Sequence, residues 1–170
     1  MAEDSLTAAK DRRLTAWSLV AVQLALIAAI VLLPRRTDWP VPAWLAVAST
    51  AATWVGIVLM VIAGLGLGRG RTATPIPNAH ARLRTGGLYR LVRHPIYTGL
   101  LLFAAGEVVA SGSVAVAIAG VLLLSLVTAK ARWEEARLRE RFAGYDEYAR
   151  RTPRFVPCRP RRRPPPSAPG

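Results

Sequence analysis

The sequence predicts an all-α integral membrane protein with about four transmembrane helices, a cytosolic amphipathic C-terminal helix and a disordered tail rich in Pro and Arg. Apolar residues make up 52% of the chain and gather in four long runs. Charged residues make up 19%, below the roughly 25% of an average soluble domain. The basic residues cluster at one end of the runs, as membrane topology requires. One cysteine and two histidines argue against a disulfide framework and a Cys- or His-rich metal site, so no metal is expected.

The first two apolar runs are long enough to cross a bilayer, whereas the last two are short. A crossing helix needs about 20 apolar residues. The last two runs reach that length only if their helices extend at the turn between them or into the cytosol, and the alternative is a re-entrant hairpin. The first run exceeds the roughly 7–15 residues of a signal-peptide core, which favours a retained helix. The runs are Leu14–Leu33, Ala43–Gly68, Pro95–Ala110 and Val114–Ala129.

The distribution of Lys and Arg predicts the orientation of the helices. The chain has 23 Lys and Arg residues against 10 Asp and Glu, a net charge of +13. If the N-terminus lies in the cytoplasm, all of these cations except Arg35 and Arg36 fall on the cytoplasmic side, as the positive-inside rule expects. The sequence therefore predicts a protein of the cytoplasmic membrane with both termini in the cytoplasm. Because topology accounts for the charge, a nucleic-acid partner is not expected.

Composition divides the chain into a membrane domain and a tail. Residues 1–157 form the predicted membrane domain, and its part from 80 to 157 carries the chemistry described below. Residues 158–170 are rich in Pro and Arg, cannot form a helix or a core, and would be attracted to anionic lipid on the cytoplasmic side. The second run ends in small residues spaced four apart, which predict close helix packing. These pairs are Gly64/Gly68 and Gly66/Gly70.

Chemistry is concentrated in two predicted cytosolic stretches, the first of which leads into the third span. Gly86 and Gly87 predict a tight turn there. Pro95 suits the first turn of a helix, where its missing N–H costs nothing. His94 then lies at the N-terminus of that helix, where free backbone N–H groups and the positive dipole end can meet a ligand. Gly99 allows another backbone or a ligand to approach this first turn.

The second stretch is a helix that continues from the fourth span. Four residues at four-residue intervals form one stripe on it, namely Lys130, Glu134, Leu138 and Phe142. Leu138 and Phe142 are the predicted packed face, and Lys130 and Glu134 bring a charge pair onto it near the bilayer. The alternative is an ordinary surface ion pair, which stabilises little. Glu135 lies off this stripe and is expected to matter less for ligand binding.

Together the two stretches resemble motifs of the isoprenylcysteine carboxyl methyltransferase family and its bacterial relatives. The family patterns R-H-P-x-Y-x-G and L-x-T-x-G-x-Y match Arg93, His94, Pro95, Tyr97 and Gly99, and Leu83, Thr85, Gly87 and Tyr89. The later patterns E-E-x-x-L-x-x-x-F and Y-x-x-Y match Glu134, Glu135, Leu138 and Phe142, and Tyr145 and Tyr148. The resemblance spans Leu83 to Pro157, and related phospholipid N-methyltransferases share the broader plan.

This resemblance implies an integral membrane enzyme that uses S-adenosyl-L-methionine without a dinucleotide-binding domain. In the family the cofactor lies in a cytosolic cup over the last spans. The implied cofactor-binding positions here are Ala81, Arg82, Leu83, Arg84, Tyr89, His94, Pro95, Ile96, Tyr97 and Glu134. Eukaryotic members usually have a histidine at the position of Ala81, whereas here His80 lies one residue away. A basic residue one turn before the glutamate binds substrate in those enzymes. By spacing the resemblance implies this catalytic role for Lys130, and Arg132 is the alternative candidate.

The predicted function is S-adenosylmethionine-dependent methyl transfer to a lipophilic acceptor, such as the carboxylate of an isoprenylcysteine-like compound or another hydrophobic acid. The alternatives are phospholipid N-methylation and a non-catalytic membrane scaffold or transporter subunit. A transporter would place several polar groups near the midplane; Glu107 qualifies, with Gln23 as a weaker candidate, although Glu107 also fits the outer interface. Small residues of the third span, Gly99, Ala104, Ala105 and Gly106, are expected to open a gap that admits the acceptor from the bilayer.

Overall fold

The chain folds into long helices joined by short connections. The computed structural model describes residues 2–36, 38–67, 83 and 85–157. Five α-helices and one 3₁₀ turn occur within these ranges, and the described residues contain no β-strand, as the sequence predicted. The elements are α1 (Ala2–Leu32), α2 (Ala43–Leu67), the 3₁₀ turn (Gly87–Arg90), α3 (Pro95–Ser111), α4 (Val114–Arg141) and α5 (Tyr145–Arg151).

Three helices of the described part are long and apolar enough to cross a membrane. They cover Leu14–Leu32, Ala43–Gly66 and Val114–Arg141, and α3 is a shorter apolar helix of 17 residues. The run that seemed short at Val114–Ala129 continues without a break into the charged stretch, giving one helix of 28 residues. The predicted lengthening of this run by a helix extension is therefore confirmed.

The turn between α3 and α4 lies beside the loop between α1 and α2. The backbone N–H of Arg36 donates to the Ser111 carbonyl (2.9 Å), and that of Asp38 donates to the Gly112 carbonyl (2.9 Å). Gly112 has the left-handed φ of 57° that ends α3, and the Asp38 carboxylate accepts from the Val114 N–H (2.8 Å) at the start of α4. The α3–α4 hairpin thus reaches the same end of the bundle as α1 and α2.

Glu107, the acidic residue of the third apolar run, also lies at the end of the bundle that holds the α1–α2 loop. Glu107 accepts from the Arg35 guanidinium (3.0 Å), which belongs to the α1–α2 loop, and from the Thr53 hydroxyl of α2 (3.1 Å). Glu107 therefore lies at the end of the bundle that holds the α1–α2 loop, where it binds Arg35 and Thr53.

Helices α2 and α3 pack backbone to backbone at two glycines of α3. A Cβ added at Gly99 would lie 2.6 Å from the Gly56 carbonyl oxygen and 2.8 Å from Met60 Cγ. A Cβ added at Gly106 would lie 2.5 Å from the Ser49 carbonyl oxygen. Since real Cβ atoms do not approach backbone atoms this closely, both positions require glycine.

Two predictions about small residues are therefore wrong. Gly99 and Gly106 close the space between α2 and α3 instead of opening a gap for an acceptor, because the helix backbones meet at these positions. Within the described part of the chain, the glycines at the end of α2 do not make the predicted close contact either, since a Cβ at Gly64 or Gly66 would meet no atom there within 4 Å. Gly68 and Gly70, their predicted partners in the pattern, lie outside the described residues.

Helix α4 packs against α1 and α3, and α2 packs mainly on α3. The core between these helices is aliphatic and consists of Ile30, Leu100, Ala104, Val116, Ala119, Leu123 and Val127. Large apolar side chains such as Trp44 and Trp54 point outward from α2, and helices that are apolar on all faces are typical of membrane spans. At the end of the bundle opposite Gly112, the core gives way to buried polar side chains.

Candidate functional site

The N-terminus of α3 anchors the site. His94 is the residue before the helix, and the buried Pro95 occupies its first turn, as predicted from its missing N–H. The preceding turn contains Gly87 with a φ of 59°, which confirms the tight turn. No side chain caps the N-terminus of α3, so the N–H groups of Ile96 and Tyr97 in its first turn have no capping side chain.

The segment after α5 lies across this helix start. The N–H of Arg93 donates to the Pro153 carbonyl (2.9 Å), and that of His94 donates to the Arg154 carbonyl (3.2 Å). The Thr98 hydroxyl donates to the carbonyl of Phe155 (2.8 Å). Three hydrogen bonds therefore fix residues 153–155 against the start of α3 and join the two motif stretches into one site.

His94 is held from both sides of its ring. Its Nε2 lies 3.1 Å from Glu135 Oε1, and its Nδ1 lies 3.7 Å from Glu134 Oε2. The ring stacks on Tyr97 with centroids 5.4 Å apart and contacts Phe155 at 6.0 Å. Because both ring nitrogens face carboxylates and the side chain is buried, the orientation of His94 is fixed by its surroundings.

Glu135 forms the centre of a buried cluster of charges. Arg154 donates to both of its carboxylate oxygens, each at 2.8 Å, and Arg93 lies 3.4 Å away. Its side chain is only 1% exposed. The hydrogen bonds to Glu135 raise the pKa of Arg154. Glu135 lies off the four-residue stripe, as predicted, but it is more buried than Glu134, because residues 153–155 cover the face of α4 that carries it.

The neighbouring carboxylate has a different environment. Glu134 keeps 27% of its side chain exposed, and its Oε2 accepts a hydrogen bond from the Tyr97 hydroxyl (3.3 Å). Within the described part of the chain, no donor bonds to its other oxygen, Oε1. Glu134 is therefore the carboxylate that retains acceptor capacity for a ligand, whereas Glu135 is saturated by its arginines.

Lys130 is buried, but its partner is not the predicted one. Its Nζ donates to Gln23 Oε1 of α1 (2.5 Å) and lies 5.6 Å from the centroid of the Tyr97 ring. Glu134 does not come within 4.0 Å of it but still attracts it electrostatically, as the predicted charge pair requires. The Tyr97 side chain contacts both residues, through its ring with Lys130 and through its hydroxyl with Glu134. Arg132 is exposed, and residues two apart on a helix do not share a face. Of the two candidates, Lys130 is thus the one that the structure brings to Tyr97.

The remaining predicted positions support the turn before α3 or lie outside the described residues. The Tyr148 hydroxyl of α5 donates to the Tyr89 carbonyl (2.6 Å) and locks the 3₁₀ turn in place. Burial raises the pKa of Tyr148, and it raises that of Tyr145 to about 12. Leu83 and Ile96 are half-buried. Ala81, Arg82 and Arg84 are not among the described residues.

Three contributors to the site were not predicted as site residues. Arg154 and Phe155 belong to no motif, and the only signal for them is that an Arg and an aromatic residue lie between Pro153 and Pro157 in a cytosolic segment. Gln23 is the one polar residue between Ser18 and the end of the first apolar run at Leu33. A partner for it 107 residues away could not be named from the sequence.

Comparisons with known proteins agree with the resemblance seen in the motifs. A family model described as phospholipid methyltransferase matches residues 44–144, which is more than half of the chain. Protein-S-isoprenylcysteine O-methyltransferase B of Arabidopsis thaliana is 32% identical over 80 residues, which cover 46% of this chain and 41% of that protein. The alignment thus spans about two fifths of that relative's length. No solved structure matches the chain.

Proposed function

The chain belongs to the phospholipid methyltransferase family, and from this premise we propose that it transfers a methyl group from S-adenosylmethionine to a lipophilic acceptor. The single observation that carries the proposal is the open carboxylate of Glu134 beside the uncapped start of α3. A carboxylate and free helix N–H groups are complementary to the two charged ends of an amino acid. S-adenosylmethionine has both ends, together with a sulfonium and an adenine.

The residues present fit this cofactor. Glu134 Oε1 is available to accept from its amino group, and the N–H groups of Ile96 and Tyr97 are available to its carboxylate. The aromatic rings of Tyr89 and Tyr97 are suited to the adenine or the sulfonium. His94 has both nitrogens engaged by carboxylates, so its contribution is to shape the cup and to position Tyr97 by stacking. The remaining proposed cofactor contacts are Leu83 and positions 81, 82 and 84, which precede the 3₁₀ turn in sequence.

The proposed chemistry depends on positioning rather than on proton transfer. When bound, S-adenosylmethionine supplies a methyl group that is already activated by the positive sulfonium. A carboxylate acceptor is deprotonated at neutral pH, so the chain needs only to hold its oxygen in line with that methyl. Lys130 is the residue suited to this role, since a buried ammonium attracts a carboxylate. Arg132 stays a weaker candidate because it is exposed on another face.

Phospholipid N-methylation is the second candidate, and the family description favours it. An amine acceptor must lose a proton before it attacks, which requires a base. Glu135 and His94 are already bound to one another and to Arg154, and Glu134 is assigned to the cofactor. The site therefore favours a carboxylate acceptor, in keeping with the name of the Arabidopsis relative.

The proposal places the site on the cytoplasmic side of the membrane, with both chain ends in the cytoplasm. The charge distribution supports this orientation, because of the 23 Lys and Arg residues only Arg35 and Arg36 would then lie on the outer side, in the α1–α2 loop. The basic residues 158–170 are proposed to contact anionic lipid. An acceptor with an apolar tail would reach the site from the bilayer, although not through the α2–α3 contact.

Calorimetry with S-adenosylhomocysteine on the protein in detergent tests the cofactor assignment. Glu134→Gln removes the negative charge offered to the cofactor's amino group and is expected to weaken binding about ten- to a hundred-fold. Glu140→Gln is the matched control, because Glu140 is an exposed glutamate of the same helix, and its affinity should equal that of the wild type. A wild-type protein that binds neither S-adenosylhomocysteine nor S-adenosylmethionine would instead support the non-catalytic scaffold.

A further inference from the structure

The first helix contributes a polar side chain to a site that the family match does not include. The family model begins at residue 44, so α1 lies outside it. Gln23 is half-buried on α1 and accepts a hydrogen bond from Lys130 Nζ at 2.5 Å. A polar side chain in an apolar span is costly unless it has a partner or a function. Gln23 therefore requires an explanation that family membership does not supply.

Lys130 is a buried cation without a bonded carboxylate. It is 3% exposed, and within the described part of the chain no Asp or Glu oxygen lies within 4.0 Å of its Nζ. Its contacts are the Gln23 amide oxygen and the face of Tyr97. The nearest glutamate along the helix, Glu134, attracts Lys130 only from beyond 4.0 Å and accepts its hydrogen bond from the Tyr97 hydroxyl instead. Burial of an ammonium is costly unless an opposite charge pairs with it, so this position favours an anion.

The two side chains present donors next to each other. An ammonium has three N–H bonds, of which one is used by Gln23. The Gln23 amide has two N–H bonds, and within the described residues they donate to no acceptor. Gln23 also fixes the direction of the Lys130 side chain by accepting from it. The pair thus offers an ammonium and an amide N–H group to one acidic group.

We propose that Gln23 is a specificity-determining residue that, with Lys130, binds the acidic group of the methyl acceptor, either a carboxylate or a phosphate. The inference rests on the proposed methyl transfer and identifies the class of acceptor that the same site takes. Gln23 distinguishes acids from neutral analogues by orienting Lys130 and by donating its own N–H. An acceptor whose head bears only an ammonium is disfavoured, because two cations would then meet in a buried site.

Binding of matched ligands to the protein in detergent tests this inference. The probes are N-acetyl-S-farnesylcysteine, its uncharged carboxamide and farnesyl phosphate, with S-adenosylhomocysteine measured in parallel. The wild type should prefer the acids to the carboxamide by about tenfold or more. Gln23→Leu should lose about tenfold in affinity for the preferred acid and change carboxamide binding less than about twofold.

Two further variants separate recognition from folding. Gln23→Glu can still accept from Lys130 but neutralises it, so acid binding should fall at least as far as in Gln23→Leu, while carboxamide binding is kept. Leu24→Ala is the control, because Leu24 is 60% exposed on α1. This variant should bind all of the ligands with wild-type affinity. Unchanged S-adenosylhomocysteine binding in every variant shows that the cofactor site is intact.

The outcomes distinguish this inference from the function on which it rests. A wild type that binds S-adenosylhomocysteine but does not prefer either acid to the carboxamide overturns the role of Gln23 and leaves the methyl transfer standing. Equal losses for acid and carboxamide in Gln23→Leu also overturn it, since they indicate a structural role. A selective loss for farnesyl phosphate alone supports the inference and identifies phosphate as the acidic group. Failure to bind S-adenosylhomocysteine overturns the proposed function, whatever the acid preference.

Discussion

Replacement of Glu135 by Gln is expected to destabilise the protein far more than replacement of its neighbour Glu134. The Glu135 side chain is 1% exposed and accepts two hydrogen bonds from Arg154 at 2.8 Å, with Arg93 at 3.4 Å. Glutamine fills the same space but carries no charge, so both guanidinium groups would lose their counter-ion. Glu134 is 27% exposed and accepts from the neutral Tyr97 hydroxyl, a bond that a glutamine oxygen can also accept.

The size of the effect follows from the burial of the partners. Removing one partner of a buried ion pair costs about 3–5 kcal/mol. Arg154 is 29% exposed, so water partly solvates its stranded charge, and the lower end of about 3 kcal/mol is expected for Glu135→Gln. In a chain of this size each kcal/mol corresponds to about 2–4 °C in Tm, which gives a decrease of about 6–12 °C. Glu134→Gln should lower Tm by less than about 4 °C, since the Tyr97 hydroxyl can still donate to the glutamine oxygen and the His94 contact is longer, at 3.7 Å.

Thermal unfolding in detergent, followed by circular dichroism or intrinsic fluorescence, measures both variants under the same conditions. Addition of Arg154→Gln to Glu135→Gln removes the unpaired guanidinium charge. The double variant should therefore lose less free energy of unfolding than the sum of the two single variants, with a coupling energy of about 0.5–3 kcal/mol. If the two glutamate variants have equal Tm values, or if the double variant is additive, the charge cluster does not stabilise the site and the reasoning is refuted.

Two further predictions concern packing and topology. Gly99→Leu should lower Tm because its side chain would clash with the α2 backbone, at an overpacking cost of about 1–3 kcal/mol or more. Gly64→Leu is the control and should be tolerated, because a Cβ there meets no described atom within 4 Å. Equal Tm values for the two variants would argue against the α2–α3 contact. The orientation can be tested with single cysteines in a variant whose native Cys158 is replaced by Ser. An impermeant thiol reagent added outside intact cells should label Arg36→Cys but not Thr85→Cys. External labelling of Thr85→Cys would contradict the proposed orientation.

The sequence was sufficient for features that depend on local chemistry. Long apolar runs must form helices in a bilayer, because an exposed backbone cannot be hydrated there, and this requirement predicted the all-helical fold. Pro95 lacks an N–H and has a fixed φ, so its place in the first turn of α3 followed from its chemistry. Gly87 adopts the left-handed φ of 59° that glycine favours, and the predicted turn is found there.

Only the tertiary structure decided which of two adjacent glutamates is buried. Side chains of consecutive helical residues point about 100° apart, so Glu134 and Glu135 cannot share one environment, but the helix itself does not choose between them. The choice is made by residues 153–155, whose backbone bonds to Arg93 and His94 and brings Arg154 onto Glu135. No pattern within α4 encodes that contact, which is why the four-residue stripe assigned the packed position to the wrong glutamate.

The same limit applies to glycine and to the partner of the buried lysine. Gly99 permits either an open gap or a close helix contact, and the position of Gly56 on α2 selects the contact. Lys130 could pair with Glu134 one turn away, but the structure joins it to Gln23, 107 residues distant in sequence. The sequence by itself determined the helices, their membrane character and the motif residues near α3, because these depend on local composition and spacing. The tertiary structure decided which residues meet in the site, because those contacts depend on how separate helices pack.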